Sequence, residues 1–552
     1  MAITPSSDLK LLKCPIELDN KNQLTFANTT AQFNYFNSLT KIEATGYTYF
    51  RQNNVIRYNA HIDTILEYNY VMYKNTNYTN KWFYAYITRM EYVSDTLTNI
   101  YIETDYYQTW MFDLTFKKSF VEREHVADDT VGAHTIDEGL GTGDYLQVSS
   151  PVDINTFTSS NMAICVCVTQ LPNGTMISGQ KSINGIYSGL IYCIFSHSDG
   201  LSTECLWANS FISQYDQNAK ATAITSIFMV PKVFALDSTH MQVVGGWDSS
   251  NPSWFFYCPT AIDTYEDITS DVTVSMPSGL AESYSPVNNK LKCYPYNYLL
   301  VTNNAGIDTI FHYEDFVSNT PKFKVIGDIS PGCSLKCIPL NYMKISDNNT
   351  FNSFNYGIAG GKLPICPWSN DTYTNWLTEN GVSMNIQSAT AIGSIAIGAA
   401  ALAGAPFTAG ISATAGAAMI AGGAGVIANT LAENHKASLM PDQANGNIAV
   451  GDITYSAGKS GFTAYKLSIR KERAKEIDNY FTMFGYKVNT LKIPALSSRT
   501  YWNYVKTIDI NITANIPQDD LQKIKDMFNT GITLWHDPTK FLDYSQSNTI
   551  VV

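Results

Sequence analysis

The chain has 552 residues, which is long enough for two to four domains with separate cores. Charged residues make up only 15% of it, whereas tyrosine alone contributes 35 residues, and this composition favours pleated strands and polar turns over long solvated helices. We therefore expect an α+β fold that is mainly β. The net charge of −12 argues against ordinary nucleic-acid binding, which needs Lys and Arg to displace counterions, but is compatible with a channel that DNA passes without sticking.

The cysteine pattern predicts neither a disulfide framework nor a metal site. Ten cysteines are spread thinly along the chain, and the first residues contain no apolar run of signal-peptide length, so we expect cytosolic synthesis with reduced thiols. Cys333 and Cys337 have a spacing compatible with zinc, but no second Cys/His pair follows at a suitable distance. We predict no metal site and no organic cofactor.

The first third of the chain carries strand patterns separated by Asn, Asp and Thr turns. Segment 81–93 predicts a strand with apolar or aromatic side chains on both faces, which fits a strand covered on both sides. One face holds Phe83, Ala85 and Ile87, and the other holds Trp82, Tyr84, Tyr86, Thr88 and Met90. Segment 99–116 is similarly rich in β-forming residues. Residues 150–370 form a β-like region without a clear repeat, which predicts one or two inserted domains.

The last hundred residues mix helix and strand signals. Segment 468–487 predicts a helix that stops at Gly485, because its apolar residues recur at helical spacing. These residues are Ala474, Ile477, Tyr480, Phe481 and Phe484. Alternation of Ile508, Ile510 and Ile512 then predicts a strand. A second helix starts at Pro517 and ends at Gly531, with Leu521, Ile524 and Phe528 on its packed face, and the following ITLWHD predicts a strand.

The sequence contains no complete catalytic motif. GDITYSAGKS ends like a phosphate loop, but the first glycine that such a loop requires is replaced by Ile453. GGAGVIA resembles a dinucleotide fingerprint without the strand that should precede it. His125 lies beside two acids in EREH (122–125), which fits an exposed loop or a salt-bridged junction better than a site, and Asp137 and Glu138 read as turn residues. We predict no catalytic residues and no enzymatic activity.

The most unusual feature is a stretch without charge between Glu379 and Glu433. It splits at APF (405–407) into two arms that would span roughly 24 Å and 36 Å as helices, which bracket a hydrocarbon core of about 30 Å. Small residues dominate it and permit close packing. The large apolar side chains that we predict to be membrane-active are Ile392, Ile395, Ile397, Leu402, Phe407, Ile411, Met419, Ile420, Val426, Ile427 and Leu431.

Three interpretations of this stretch stay open: a membrane-active segment, a buried packing or plug element, and a linker. Its alanine content favours helix, whereas glycines that recur every six residues from Gly398 to Gly422 fall on one face of a strand. Because Ala and Gly drive insertion less than Leu does, conditional insertion by several copies fits better than a permanent span. Glu433 and His435 are the first ionisable groups after the stretch, and protonation of Glu433 would remove a charge whose burial is costly, which predicts a pH trigger.

Several long motifs resemble those of one phage protein family, in the same order. They are NKWFYAYITRMEY, QTWMFDLTFKKSFVEREHV (108–126), TIDEGL (135–140), FGYKVN (484–489), NYVKT (503–507) and NTGITLWH (529–536). The chain resembles the tail-knob proteins of small short-tailed bacteriophages of Gram-positive bacteria, the picovirus type. The resemblance covers roughly 30–145 and 460–540, and the central 150–370 is not aligned.

The resemblance implies a hexameric, mostly β tube at the distal tip of a short virion tail, similar to tail-tube and baseplate-hub proteins. It implies that a long hydrophobic loop plugs the lumen and perforates the host cytoplasmic membrane during genome ejection. The implied partners are further copies of the chain, upper tail or collar proteins, that membrane, and viral DNA that passes without specific binding. The protein would be made in the host cytoplasm.

The predicted organisation has four parts. Residues 1–150 and 451–552 form a tail-tube/baseplate-hub-like β domain, 151–375 form an inserted β-rich domain, and 376–450 form the long Ala/Gly-rich hydrophobic loop. The main alternative function is a receptor-binding tail adhesin whose 150–370 loops recognise the host cell wall. A wall-degrading enzyme and a stand-alone pore-forming toxin are weaker alternatives, since no enzyme motif and no signal peptide are evident.

Overall fold

The computed structural model describes most of the chain outside one long central segment. The described residues are 7–47, 54–75, 81–156, 161–172, 182–183, 189–196, 201–217, 223–235, 241–245, 255–259, 261–262, 266–329, 334–344, 356–360, 363, 365–366 and 461–551. The chain folds into two compact units. Unit 1 contains Met1–Asp144, Tyr284–Tyr296 and Arg470–Val552, and unit 2 contains Tyr145–Ser283 and Asn297–Ile469. The four-part division from sequence stays a prediction.

Unit 1 is built on two larger sheets. The first has six antiparallel strands in the order β3-β1-β5-β6-β7-β4. Their bounds are β1 Ser7–Leu12, β3 Lys41–Tyr47, β4 Val55–Tyr58, β5 Tyr70–Asn75, β6 Trp82–Ser94 and β7 Leu97–Thr104. The second has the order β2-β31-β29-β9-β28, with bounds β2 Asn22–Leu24, β9 Ser119–Glu124, β28 Tyr486–Lys492, β29 Trp502–Asp509 and β31 Ile532–Trp535. Strands β8 Thr115–Phe116 and β30 Ile512–Thr513 form a small ladder.

The first half of β6 is covered on both faces, as its sequence predicts. Tyr84 and Tyr86 pack into one core with Trp502 and Trp535, while Ala85 faces a second core. The face predicted for Met90 is wrong, because Met90 packs in the second core with Phe83 and Ile87 rather than on the tyrosine face. A β-bulge between Ile87 and Arg89 shifts the register, and a shift of one residue exchanges the two faces of a strand.

The β-forming residues of segment 99–116 form a continuous strand only as far as Thr104. Helix α3 (Tyr106–Trp110) follows, and a 3₁₀ turn (Met111–Asp113) comes after it. The buried Asp105 caps this helix by accepting the Gln108 N–H at 3.0 Å, and burial raises the Asp105 pKa. Gln108 in turn donates to the Leu24 carbonyl at 2.7 Å. This cap and the buried tertiary hydrogen bond outweigh the local β preference of the aromatic residues.

The remaining helices of unit 1 are α1 Thr29–Ser38, α2 Ile62–Ile65, α5 Lys471–Phe484 and α6 Gln518–Thr530. Both C-terminal helices confirm their sequence signals. Helix α5 buries Ala474, Ile477 and Phe481 and is capped by Gly485, and α6 follows Pro517, buries Leu521, Ile524 and Phe528, and is capped by Gly531. The strand predicted through Ile508, Ile510 and Ile512 is interrupted. β29 ends at Asp509, so Ile508 is exposed while Ile510 and Ile512 are buried beyond the strand end.

Unit 2 is also β-rich. One sheet has the order β16-β17-β14-β12-β15-β26, with bounds β12 Met162–Val168, β14 Ile191–Phe195, β15 Ile224–Pro231, β16 Met241–Gly245, β17 Phe255–Pro259 and β26 Ile365–Cys366. A second has the order β10-β27-β21-β22, with β11 also paired to β27. Its bounds are β10 Tyr145–Gln147, β11 Val152–Thr156, β21 Asn297–Thr302, β22 Asp308–Phe311 and β27 Gly461–Ile469.

A third sheet of unit 2 has the order β19-β23-β24-β25, with β20 also paired to β23. Its bounds are β19 Glu266–Asp267, β20 Val272–Thr273, β23 Lys322–Gly327, β24 Leu335–Pro339 and β25 Ile358–Ala359, and β13 Ser182–Ile183 pairs with β18 Ala261–Ile262. Helix α4 (Leu201–Gln217) packs against the entirely buried β12. One large apolar core joins these sheets, so the prediction of an α+β protein that is mainly β is confirmed.

Candidate functional site at the base of the apolar segment

The apolar residues predicted to be membrane-active, from Ile392 to Leu431, and the predicted trigger residues Glu433 and His435 lie outside the described residues. The structure does describe the strands of unit 2 that precede and follow this part of the chain. The outgoing side ends in β26, which pairs with β15, and the returning side begins with β27, which pairs with β10, β11 and β21. Both sides are therefore anchored in sheets.

The two sides meet at a single turn of unit 2. The Asn303 amide donates to the Ala359 carbonyl at 3.1 Å, on the outgoing side. The adjacent Asn304 amide donates to the Gly461 carbonyl at 3.0 Å and to the Thr463 hydroxyl at 3.1 Å, on the returning side. Two consecutive amide side chains thus hold the outgoing and returning strands together.

Local sequence explains this turn. The side-chain Oδ1 of Asn303 accepts the N–H groups of Ala305 and Ile307 at 2.8 and 3.0 Å, which folds the residues after β21 back toward β22. Asn304 has φ 58°, a left-handed conformation that asparagine tolerates better than most residues. The turn therefore aims both amides at neighbouring strands, and Asn303 itself is buried.

Close packing reinforces the amide contacts. A Cβ at Gly360 would lie 3.0 Å from the Phe462 ring and 2.8 Å from the Leu335 side chain, so only glycine fits without a shift of its neighbours. Phe462 is fully buried, and the Thr463 hydroxyl also donates to Asp153 at 3.0 Å. We call Asn303, Asn304, Ala359, Gly360, Gly461, Phe462 and Thr463 the neck. Because its main contacts are neutral amides, carbonyls and an aromatic ring, the neck is a structural anchor rather than a chemical centre.

The EREH segment of unit 1 is neither an exposed loop nor a catalytic site. Its first three residues end β9 and His125 follows directly, and Arg123, Glu124 and His125 are all buried. Glu124 pairs with Lys492 and accepts the Ala495 N–H at 2.9 Å. These contacts join strands that are far apart in sequence, which is a structural role.

His125 is held as a neutral imidazole. Its Nδ1 accepts the Tyr504 N–H at 2.7 Å, and its Nε2–H donates to the Thr482 carbonyl at 3.0 Å. Burial lowers the pKa of His125 to about 3, and the nearby positive charge of Arg499 acts in the same direction. With both nitrogens engaged by backbone groups, His125 has no free position for acid–base chemistry.

Glu138, which the sequence indicates as a turn residue, is a buried anchor of unit 1. Its side chain is inaccessible, pairs with Arg123 and Lys290, and accepts the Lys487 N–H at 3.0 Å. Burial lowers the Lys290 pKa, and the neighbouring Glu138 opposes that shift. Asp137 does act as a turn residue, since it accepts the Gly139 N–H at 2.9 Å.

Two further carboxylates hold the segment 284–296, which belongs to unit 1 although its sequence neighbours belong to unit 2. Asp478 of α5 accepts hydrogen bonds from Tyr284, Val287 and Asn288, at 2.7 to 3.0 Å. Asp129 accepts the Asn289 N–H at 3.1 Å and the Tyr486 hydroxyl at 2.6 Å, and burial raises the Tyr486 pKa. Asp129, Glu138 and Asp478 together form what we call the carboxylate clamp. Sequence reasoning missed it because its members are separated by up to several hundred residues.

The described residues contain no group of three or more His, Cys, Asp or Glu side chains placed to hold a metal ion. Cys333 lies outside them, and Cys337 is a buried free thiol in β24 whose pKa is raised by burial. In the same part of the chain, no helix is long and apolar enough to cross a bilayer.

Comparison with known proteins gives the family. A family model described as Bacillus phage phi29, tail knob protein gp9, C-terminal domain, matches residues 260–549, which is more than half of the chain. The chain belongs to this tail knob family. A second model, for the N-terminus of caudoviral major tail proteins, matches residues 6–115 of unit 1. The resemblance drawn from the sequence motifs is confirmed.

The relatives of the tail knob family match over nearly the whole chain. Tail knob protein gp9 of Bacillus phage B103 is 27% identical, covering 100% of both chains. The gp9 proteins of Bacillus phages PZA and phi29 are 27% and 26% identical, each covering 97% of this chain and 98% of the relative. The solved tail knob protein gp12 of bacteriophage C1 shares the fold, with a TM-score of 0.62 at 12% identity, over 99% of this chain and 100% of the other.

Membership places this tail knob protein among the structural components of the phage tail. The matched models and relatives are named as tail proteins and none as an enzyme. The coarse function predicted from sequence, a structural protein of the virion tail, is therefore established.

Proposed function

We propose that the protein forms the distal tube of the tail from several copies, six by resemblance to its family, and conducts DNA through that tube. Its apolar segment plugs the tube before ejection and then opens a path through the host cytoplasmic membrane. The proposal includes the absence of enzymatic activity, assembly with upper tail or collar proteins, and synthesis in the host cytoplasm. One observation carries it: an uncharged stretch between Glu379 and Glu433, inserted into a tail protein that otherwise has polar loops.

Charge and multiplicity support the two halves of the proposal. A net charge of −12 on each copy disfavours adhesion of DNA phosphates to the tube wall, so DNA passes without specific binding. An Ala/Gly-rich segment inserts weakly when alone, but several segments held on one ring act at high effective concentration. The neck supports this geometry, because its two amides keep the base of the segment attached to unit 2.

The proposed trigger is protonation next to the stretch. Glu433 and His435 are the first ionisable groups after it, and a charged carboxylate is costly to move into a hydrocarbon layer. Neutralising Glu433 in mild acid lowers that cost. The Glu433→Gln variant should therefore release dye from liposomes at neutral pH as well as the unmodified protein does in mild acid. Leakage by the unmodified protein that is the same from neutral to mildly acidic pH would refute this trigger.

The membrane role is tested by placing charge within the stretch. Ile411→Asp and Ile427→Asp each add a carboxylate to a position predicted to enter lipid, where charge is strongly disfavoured. We expect both variants to lose liposome leakage, and phage carrying them to attach to cells without delivering DNA. Leu66→Asp is the matched control, because Leu66 is 64% exposed in unit 1 and lies outside the stretch.

Retained leakage and normal genome delivery by both stretch variants would refute the membrane role. The same experiment separates it from the alternative function of a receptor-binding adhesin. An adhesin whose central region grips the host wall would deliver DNA normally after these substitutions, and the full-length protein would bind purified host cell walls. The tail-tube proposal expects the substitutions to block delivery after attachment.

A further inference from the structure

An exposed apolar row crosses three strands of the second sheet of unit 1. Leu491 of β28 lies directly opposite Phe120 of β9, and a bulge in β29 places Ile508 and Asp509 against Phe120 from the other side. Leu491 and Ile508 are 65% and 63% exposed, and Phe120 is 38% exposed. Adjacent apolar side chains on one sheet face form a contiguous patch of the kind that marks an interaction surface. We call Phe120, Leu491 and Ile508 the apolar row.

Positive charge borders the apolar row. Lys117 and Lys118 directly precede β9 and are exposed, and neither has an acidic partner within the described residues. Two lysines of the neighbouring strands are neutralised, since Lys492 pairs with Glu124 and Lys506 pairs with Glu122 at 2.9 Å. Asp509 at the bulge is the acidic group on this border. A partner surface should therefore be apolar with negative charge beside it.

The β6–β7 hairpin of the same unit has that character. Its residues beyond Ile87 extend past the last pair of the β5–β6 ladder, Tyr70 with Tyr86. Near its end Tyr92 and Val93 are 50% and 46% exposed, and Glu91 and Asp95 flank them. We call Glu91, Tyr92, Val93 and Asp95 the hairpin tip.

The hairpin tip is held in shape by its own side chains. The Tyr92 hydroxyl donates to Asp95 at 2.5 Å, and the Tyr101 hydroxyl donates to Glu91 at 2.8 Å. Arg89, the cation of this hairpin, is stacked over the Tyr101 ring at 3.9 Å from its centroid. The tip therefore presents two apolar side chains and two carboxylates with little ordering left to occur on binding, which favours association.

We propose that the hairpin tip of one copy docks on the apolar row of the next copy. The hairpin tip matches the apolar row in both charge and apolar surface. In the docked pair, Glu91 and Asp95 of one copy lie near Lys117 and Lys118 of the next. Because the two surfaces differ, the contact is heterologous, and repeated contacts of that type close into a ring when the rotation permits. The inference rests on the multi-copy tube proposed above and assigns its subunit interface.

Disulfide trapping between copies tests the contact directly. Val93→Cys protein is mixed with Leu491→Cys protein under mild oxidation, and eight of the ten native cysteines are buried free thiols. We expect covalent dimers in the mixture and none from either variant alone, because one copy supplies the tip and the other the row. Leu66→Cys replaces Leu491→Cys in the control and should give no dimer, since it is equally exposed but lies elsewhere.

Association of the full-length protein gives an independent measurement. Leu491→Ser and Ile508→Ser should each raise the dissociation constant between copies by about tenfold. Each substitution removes roughly two-thirds of the apolar surface that one aliphatic side chain would bury in the contact. Leu66→Ser should leave it unchanged. Lys117→Glu with Lys118→Glu should weaken association, and Glu91→Lys with Asp95→Lys in the other copy should restore it. Sedimentation analysis across a concentration series measures all of these.

The two proposals fail in different ways. If no mixed dimer forms and Leu491→Ser associates like the unmodified protein, the docking proposal is overturned, and the row is then covered by another tail protein or by another segment of the same chain. A protein that is monomeric at every concentration also overturns it. If the trapped copies form and the assembled protein fails to permeabilise liposomes, the membrane role fails while the interface stands.

Discussion

The neutral His125 of unit 1 predicts a specific acid sensitivity of the fold. Its two nitrogens are engaged by the Tyr504 N–H and the Thr482 carbonyl, and a protonated ring would lose the first of these hydrogen bonds. Burial lowers the His125 pKa to about 3 in the folded protein, against about 6.5 in an unfolded chain. The unfolded state therefore binds more protons between these values, so the stabilisation is complete above pH 6.5 and is lost as the pH falls toward 3.

The magnitude follows from these two pKa values. Between pH 7 and pH 5 this single group should lower the free energy of unfolding by about 2 kcal/mol, and by about 3 kcal/mol at pH 4. His125→Gln removes the titration but also the matched hydrogen bonds, which costs about 1–2 kcal/mol at pH 7. The two proteins should therefore differ clearly at pH 7 and become equally stable near pH 5.

Native-state hydrogen exchange measured by mass spectrometry is the appropriate assay, because a chain with two units need not unfold in one step. Peptides that contain β9 (Ser119–Glu124) and β29 (Trp502–Asp509) report the local free energy of opening. His61→Gln is the control, since His61 is a partly exposed histidine of the same unit. A pH dependence of β9 that is the same in the His125→Gln variant and the unmodified protein would refute a buried neutral His125.

Three further predictions test other contacts. Gly531→Ala would place a Cβ 2.2 Å from the Tyr504 hydroxyl at φ 108°, so we expect a loss of several kcal/mol in thermal unfolding, partly rescued by Tyr504→Phe. Glu138→Gln leaves two buried cations unpaired and should cost about 3–5 kcal/mol, whereas the exposed Asp137→Asn should cost under about 1 kcal/mol. Asn304→Gly keeps the backbone conformation but removes two hydrogen bonds, and should speed hydrogen exchange in Gly461–Ile469 without altering β12.

Local signals explain what could be predicted from sequence. Helix α5 is specified by its apolar spacing and Gly485, and α6 by its apolar spacing and Gly531. In each helix these signals lie within about fifteen residues, so neighbouring residues were sufficient. The two-sided burial of β6 was evident from its aromatic content. Met90 was misplaced because a bulge depends on the partner strand, and one extra residue changes the face of every later side chain.

Contacts between distant residues explain what could not be predicted. Glu138 is followed by glycines and looks like a turn residue, and only the fold shows Arg123 and Lys290 closing around it. The neck is similarly hidden, because Asn303 and Asn304 lie far in sequence from Gly461, and paired asparagines ordinarily signal a turn. A single sequence carries no record of such pairs.

The two anchoring devices differ in chemistry, and this difference constrains the release that we propose for the apolar segment. The carboxylate clamp of unit 1 uses carboxylates that pair with cations or accept hydrogen bonds from N–H and hydroxyl groups. The neck of unit 2 uses the neutral amides of Asn303 and Asn304, with the exposed Asp153 as the carboxylate that contacts it through Thr463. Mild acid therefore leaves the neck amides unchanged. We therefore expect the proposed acid-triggered release to act within the segment, at Glu433 and His435, while the neck keeps holding the outgoing and returning strands of unit 2 together.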